Sequence, residues 1–448
     1  METTLARLNE LLSIVESSGK VLQASLAEHA KDNTASGVAD RLDLPFHADP
    51  ETANHAATLR VVAERLAQLV TPPRHVVFEA AGSFYITLCL HTMLKADVAT
   101  LIEDIDPSGV PTTILAQKAG LDSDMLPRML RHLATKGIFQ ETQPGVWANT
   151  VASKTIAHCP EFCAHLDLCM YEGTLVLPHW PEFLAARASD VQPAPSSPFA
   201  IYSNGEAFYK WVHSGVPAAA GRGANFNTAM RGMADTEGVA FLPADYSFAS
   251  LDPGTKIIDV GGGLGSLPEL VLPEASHLKF MVQDLAPVIK QAAEIGACKK
   301  WVDQGTVQFI EQDCFEPQPD EAKGGNVFVL KTMLHNYPDS KATEILKHVR
   351  AAEPSALLVI DRAIVPVLRT QATSPEEEKA LYDFLRKDGT QSLQAPTMYD
   401  LGMAALHGGR VRSLSEWTAL LDATGFKLNR VFRMRASTGQ AVLECVPV

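Results

Sequence analysis

The sequence predicts an α/β protein whose C-terminal half folds as a doubly wound, mostly parallel sheet behind a helical N-terminal half. Three observations carry that expectation. From residue 251 onward, apolar runs of strand length alternate with helix-like stretches, the order that builds a parallel sheet. The run Lys256-Ile257-Ile258-Asp259-Val260 breaks into a glycine-rich turn, Gly261-Gly262-Gly263-Leu264-Gly265. Two later runs, Phe280-Met281-Val282-Gln283-Asp284 and Phe309-Ile310-Glu311-Gln312-Asp313, also finish on an acid.

Glycines at the carboxyl end of a strand let the backbone approach a ligand where a Cβ would clash. Asp284 follows about 20 residues later, where a ribose-binding carboxylate is expected. Carboxylates on three strands suit ribose hydroxyls and an adenine amine better than a pyrophosphate. The turn departs from the phosphate-binding Gly-x-Gly-x-x-Gly form and no Gly-Lys-Ser/Thr follows. S-adenosylmethionine therefore fits better than NAD or ATP.

The remaining elements follow in order. Leucines, valines and alanines at three-to-four spacing predict helices in Leu5 to Leu26 and Ala53 to Leu69, making residues 1–74 a helical arm that ends near Pro72-Pro73. Residues 75–155 read as a winged-helix-like unit: a helix from Thr112 ending at Gly120, a second helix over Asp124 to Lys136, then a hairpin of Ile138 to Glu141 and Gly145 to Ala148. Residues 156–250 read as a helical linker interrupted by a surface loop, Gln192 to Pro198. The domain of residues 251–448 takes strands at Ile257–Val260, Phe280–Gln283, Val307–Ile310, Val327–Leu330 and Leu357–Asp361. Two more fall near Leu428–Met434 and Ala441–Cys445 and would form an antiparallel edge. A polar insert, Val365 to Pro396, is expected as a lid or a plain surface excursion.

Composition narrows the function. The 448 residues are 46% apolar and 20% charged, and the net charge of −14 argues against a polyanion as partner. The Asp124–Lys136 helix carries Arg128, Arg131, His132 and Lys136, yet no basic hairpin supports a DNA-binding reading. No run of about 18 uncharged apolar residues is evident, so no membrane span is expected. Residues 1–24 lack a secretory pattern, and seven cysteines, an odd number, favour reduced thiols in a cytoplasmic setting. The cluster His158-Cys159-Pro160-Glu161-Phe162-Cys163-Ala164-His165 is packed too closely to converge on zinc, and no metal is expected.

The chemistry candidates lie beyond the fourth strand of the sheet, where Val327–Lys331 runs into Leu334-His335-Asn336-Tyr337-Pro338-Asp339. A histidine at the carboxyl edge of a sheet is a suitable general base near neutral pH. The next strand ends at Asp361, placed to accept the other imidazole N–H.

At this point the chain resembles the class I S-adenosylmethionine-dependent O-methyltransferases of the caffeate type, especially their fungal natural-product branch. The resemblance covers roughly residues 75–448 and implies a winged-helix dimerisation domain, a Rossmann-like catalytic domain, a homodimer and a small-molecule substrate. Asp259, Gly261 and Gly263 match its first cofactor motif, Asp284 and Leu285 its ribose motif, and Asp313 and Cys314 its adenine motif. Lys331 and His335 match the segment that carries the catalytic histidine, and Asp361 stands where the family has one flanking acid. Met170, Tyr171, Trp180, Phe226, Met230, Met403 and Leu406 are the implied substrate-pocket candidates, although such residues more often pack a core.

One departure stands out. The family places a second acid after a Gly-Gly or Asn-Gly pair, whereas this chain reads Gly408-Gly409-Arg410-Val411-Arg412. Val411 cannot orient an imidazolium. The departure either tunes methyl transfer or marks a pericyclase of the same fold, which holds S-adenosylmethionine without consuming it. In that alternative His132, Arg410 and Arg412 would act as hydrogen-bond donors to the substrate.

Overall fold

The computed structural model describes residues 2–29, 50–189, 195–236, 239–364, 394–434 and 439–448. The chain groups into two units: Ala67–Thr236, which is mainly helical, and Met1–Leu66 together with Glu237–Val448, which contains the large sheet. The N-terminal arm thus groups with the sheet rather than with the residues that follow it. Most of the polar insert (residues 365–393) and residues 190–194 of the surface loop lie outside the described residues.

In the helical unit, strand β1 (Val110–Pro111) leads into the Thr112–Ala119 helix, which stops at left-handed Gly120. The Met125–Ala134 helix follows and buries Leu126, Leu130 and Leu133. Strands β2 (Gln140–Gln143) and β3 (Val146–Ala148) form the expected hairpin, and β1 adds to β3 as a third strand too short to read from the sequence. Trp147 anchors the hairpin: it is fully buried, and its Nε1 donates to Thr112 Oγ1 at 3.1 Å.

Further along, the Pro160–Val176 helix packs on Arg222–Thr236 through buried charge. The Arg222 guanidinium lies 2.6 Å from Asp167 Oδ2 and 2.5 Å from Glu172 Oε2, and covers the Tyr171 ring at 4.5 Å. Asp167 also meets His91 and Lys95 at 2.9 and 2.7 Å, so the cluster's carboxylates are matched by cations.

The 158–165 cluster forms a helix start, with Pro160 in the first helical turn and the Cys163 thiol donating to Ile156 O. All seven cysteines are free, and no group of three metal-ligating side chains occurs among the described residues.

Against the expectation from hydropathy, Pro73–Lys95 is long and apolar enough to cross a membrane by length and composition alone. It divides at Ser83 into two helices, and Val77, Phe78, Phe84, Tyr85 and Leu88 lie exposed on the chain.

The predicted arm helices are Glu2–His29, in the sheet unit, and Pro50–Val70, whose last turn from Ala67 belongs to the helical unit. The sheet itself comprises β4 (Lys256–Val260), β5 (Lys279–Asp284), β6 (Val307–Glu311), β7 (Val327–Lys331), β8 (Ala356–Ile364), β9 (Arg412–Ser413), β10 (Phe426–Arg433) and β11 (Gln440–Pro447). The order is β10-β11-β8-β7-β4-β5-β6, with β9 joined to the end of β8. Strands β6, β5, β4, β7 and β8 run parallel, and β11 is reversed, antiparallel to both β8 and β10. The edge strand β10 therefore points the same way as the core strands, rather than running antiparallel to them with β11 as expected.

Both faces of the sheet are covered, which is why its central strands read as continuous apolar runs. One face carries Ile258, Met281, Phe328 and Leu330 against Ile345, Leu346 and Trp417. The other carries Ile257, Phe280, Val282 and Val329 against Leu267 and Val271. Phe328 is fully buried near the centre of the sheet. Phe328→Ala is expected to cost about 3–5 kcal/mol, read as a lower urea midpoint for unfolding of the sheet unit.

Candidate active site

The carboxyl edge of the parallel strands collects the predicted residues of the sheet unit. After β4, Gly261, Gly263 and Gly265 adopt left-handed backbone conformations that favour glycine. Gly262 answers a different need: a Cβ there would lie 2.5 Å from Asp259 Oδ2 and 2.8 Å from Val282 Cγ1. The turn is tied to β5 by the Gly261 and Gly262 amides, which donate to Gln283 O at 2.9 and 3.1 Å.

Asp259 is fully buried beneath this turn, and neither carboxylate oxygen has a hydrogen-bond partner among the described residues. Burial pushes its pKa up to about 6, with Lys331 at the end of β7 opposing and Asp284 adding to the rise. An unmatched buried carboxylate is costly and calls for an external partner. At the end of β5, Asp284 Oδ2 accepts from the Gly263 amide at 2.9 Å and Oδ1 from the Leu285 amide at 2.8 Å. Burial raises its pKa against those two donors. The Leu285 side chain is exposed. Beyond β6, Asp313 Oδ1 accepts from the Phe315 amide at 2.9 Å. Cys314 is half-buried, and burial pushes its thiol up to about 12, so it stays protonated.

The donor set is acidic, with Lys331 the cation placed beside Asp259. It therefore fits a ligand bearing positive charge and ribose hydroxyls rather than a pyrophosphate. S-adenosylmethionine, with its sulfonium and ammonium groups, has that chemistry. Asp259, the glycine turn, Asp284 and Asp313 are the groups that would hold it.

His335 sits in a single 3-10 turn, Leu334–Asn336, between β7 and the Asp339–Ala351 helix. It is 4% exposed, and its Nδ1 lies 2.7 Å from Asp361 Oδ1 on β8. Asp361 is fully buried. Burial alone would raise its carboxyl, but the facing His335 and the charge and amide of Arg362 outweigh that and hold it below the ordinary value. An ionised Asp361 accepts the Nδ1 proton, which leaves Nε2 with its lone pair available.

The Gln394–His407 helix and the segment after it close over this turn. The Arg410 amide donates to His335 O at 2.9 Å. A Cβ on Gly409 would collide with the backbone of His335 and Asn336, so this approach requires glycine. His407, which sequence reasoning missed, is pushed down to about 3 by burial and by the charge of His335, and is neutral at working pH. No pattern in the sequence marks it, because it stands at the end of an ordinary amphipathic helix.

The structure revises two expectations about donors. Arg412 is fully buried, and all three guanidinium nitrogens are committed to Asp339, Leu334 O and Tyr337 O. Arg410 pairs with Asp339 Oδ2 at 3.1 Å and with Glu416. Arg412 is thereby committed within the protein, whereas Arg410 is partly exposed and engaged by two surface carboxylates. Val411 is buried and brings no charge, while its amide donates to Asp400 Oδ1 at 2.8 Å.

Met403 and Leu406 are half-buried on the Gln394–His407 helix. Met170, Tyr171, Trp180, Phe226 and Met230 belong to the helical unit, where Met170 is buried and the other four are half-buried. Trp180 stacks edge-on with Phe183, and Phe226 with Phe208 and Tyr209. His132 also lies in the helical unit. Rather than facing solvent, it is half-buried against Tyr85, with its Nε2 unpartnered.

Comparison with known proteins places this geometry. Residues 200–427 match an O-methyltransferase domain, and residues 78–158 match an O-methyltransferase dimerisation domain. The chain is 25% identical over 483 residues to O-methyltransferase tpcA of Aspergillus fumigatus, covering 98% of this chain and 97% of the relative. It is 27% identical over 405 residues to sterigmatocystin 8-O-methyltransferase of Aspergillus flavus, covering 89% of this chain and 88% of that one.

Among solved structures, the fold is shared with the pyocyanin biosynthetic protein PhzM, at TM-score 0.62 and 19% identity over 84% of this chain and 99% of that one. It is also shared with the O-methyltransferase NcsB1, solved with S-adenosylmethionine and a hydroxynaphthoic acid. That match has TM-score 0.57 and 22% identity over 81% of this chain and 96% of that one.

The unmatched Asp259 yields a test. A carboxyl whose folded pKa lies above its unfolded value destabilises the fold as pH rises through the interval, here from 3.8 to about 6. Asp259→Asn is therefore expected to stabilise the cofactor-free protein at pH 7 by about 1–3 kcal/mol. The same change should weaken S-adenosylmethionine binding. Melting curves and binding isotherms of the variant check both signs.

Proposed function

The chain belongs to the O-methyltransferase family, and on that premise we propose that it methylates a hydroxyl of a small aromatic or polyketide-type secondary metabolite, with His335 as general base. The observation that carries this reading is the buried 2.7 Å contact between His335 Nδ1 and Asp361 Oδ1, which directs Nε2 toward a reacting proton. The fungal relatives named above support the metabolite class.

When bound, S-adenosylmethionine supplies an electrophilic methyl group. His335 Nε2 removes the proton from the substrate hydroxyl, and Asp361 holds the ring and balances the charge it acquires. Asp259 and the glycine turn would hold the amino-acid end of the cofactor, Asp284 the ribose, and Asp313 and Cys314 the adenine. Holding the substrate hydroxyl beside His335 next to the cofactor pocket would supply much of the acceleration through proximity. The pericyclase alternative loses ground because Arg412 is committed within the protein and Arg410 is engaged by two surface carboxylates.

The direct experiment is mass spectrometry with trideuteromethyl-labelled S-adenosylmethionine and a panel of phenols, pyridones and polyketides. Methyl transfer gives a product heavier by the labelled group and one S-adenosylhomocysteine per turnover. Isomerisation or water loss without label would reject it in favour of the pericyclase. His335→Ala is expected to lower kcat by about 10²–10⁴-fold while leaving cofactor affinity unchanged.

The exposed apolar side chains of Pro73–Lys95 would be covered by a second copy, forming a homodimer. Phe78→Asp combined with Phe84→Asp should halve the mass seen by sedimentation equilibrium. A mass unchanged from that of the parent dimer would refute this face as the interface.

A further inference from the structure

We propose that Arg412 is the positioning residue of the general base, tying the turn that carries His335 to the strand that carries Asp361. The inference rests on the methyl-transfer reading above and extends it to a residue outside the reacting atoms. Its side chain has no solvent exposure. NH1 donates to Leu334 O at 3.0 Å, NH2 to Tyr337 O at 2.9 Å, and Nε to Asp339 Oδ1 at 2.9 Å. These partners bracket His335 on both sides.

The same residue is fixed to the opposite strand. Its backbone pairs with Ala363, two residues beyond Asp361. Its guanidinium lies 5.0 Å from the centre of the Trp417 ring, and Trp417 Nε1 donates to Arg362 O at 3.0 Å. A single rigid fork therefore spans the two backbones whose separation sets the His335–Asp361 contact.

The need for such a clamp is local. The histidine turn is one 3-10 turn of three residues, entered through Thr332 at φ 51°, and has little regular structure of its own. Val411 supplies no carboxylate to the ring. Orientation of Nε2 toward a hydroxyl then depends on Asp361 and on how firmly the turn is held. A displacement near 1 Å is enough to cost about 100-fold in rate.

The test uses the full-length protein and a series of phenols of rising acidity that the wild type methylates. Arg412→Met is expected to lower kcat about 100-fold on weakly acidic phenols, with cofactor Kd within about threefold of wild type. The deficit should shrink on phenols already ionised at the assay pH, since those need no base. A residue that served packing alone would slow every phenol equally. A uniform deficit, or a kcat within about threefold of wild type throughout, overturns the proposal.

Arg412→Lys and Asp339→Asn carry the same test if Arg412→Met fails to fold, because Asp339 is half-exposed and supports one arm of the fork. Each is expected to show a smaller deficit with the same dependence on acidity, and a uniform one overturns the proposal. A wild type that methylates no hydroxyl defeats the methyl-transfer reading instead. The readout is then the downfield proton of His335 Nδ1, assigned by its loss in His335→Gln. Broadening of that signal in the Arg412 variants supports the clamp, and an unchanged signal overturns it.

Discussion

The candidate site depends on the parallel register between β7 and β8. Lys331, the last residue of β7, pairs with Ile360, and the Thr332 amide extends the ladder by donating to Ile360 O at 2.8 Å. The chain leaving β7 must therefore turn beside β8 at Asp361, which follows Ile360 directly and lies three residues before that strand ends. That register brings His335 and Asp361 to 2.7 Å inside the protein, where low polarisability strengthens a charge-assisted hydrogen bond. A slip of one residue would send the Asp361 side chain to the other face of the sheet and dissolve the pair.

The same edge holds carboxylates in opposite electrostatic states. Asp361 and Asp259 are both fully buried, so desolvation acts on each. Asp361 faces His335 and Arg362 and is held low, while Asp259 lacks a hydrogen-bonding partner and rises to about 6. One acid has a charged partner for one of its oxygens within the fold, and the other has a partner for neither among the described residues. This contrast sets the acid paired with His335 apart from the unpaired acid beneath the glycine turn along one edge of the sheet.

Segment 408–413 holds the histidine turn through its backbone and a neighbouring side chain. Val411 contributes no charge, yet the Arg410 amide grips His335 O, and the absence of a Cβ on Gly409 permits that approach. Arg412, which the sequence presents as one more surface cation, is instead fully buried and satisfied at three nitrogens. A buried guanidinium carries a large desolvation cost and is retained only where its geometry holds several groups at once. Here those groups flank the histidine.

The order of strands, the acids at their ends and the paired helices with their hairpin were legible in the sequence, because each is a local pattern. Apolar runs of strand length, glycines after a carboxylate and leucines at helical spacing need only neighbouring residues to be read. The sequence likewise placed His335 and Asp361 at one edge of the sheet and left residue 411 without an acid. It ended the Asp361 strand three residues early, since β8 continues to Ile364 to pair with β9. It did not reveal β1, β9, the neutral His407, the orphaned Asp259 oxygens or the direction of Arg412. Those depend on contacts such as Arg412 with Leu334, 78 residues apart, and on burial that no short window contains. Local periodicity determined the fold; desolvation and long-range packing decided which charges face a ligand and which hold the protein together.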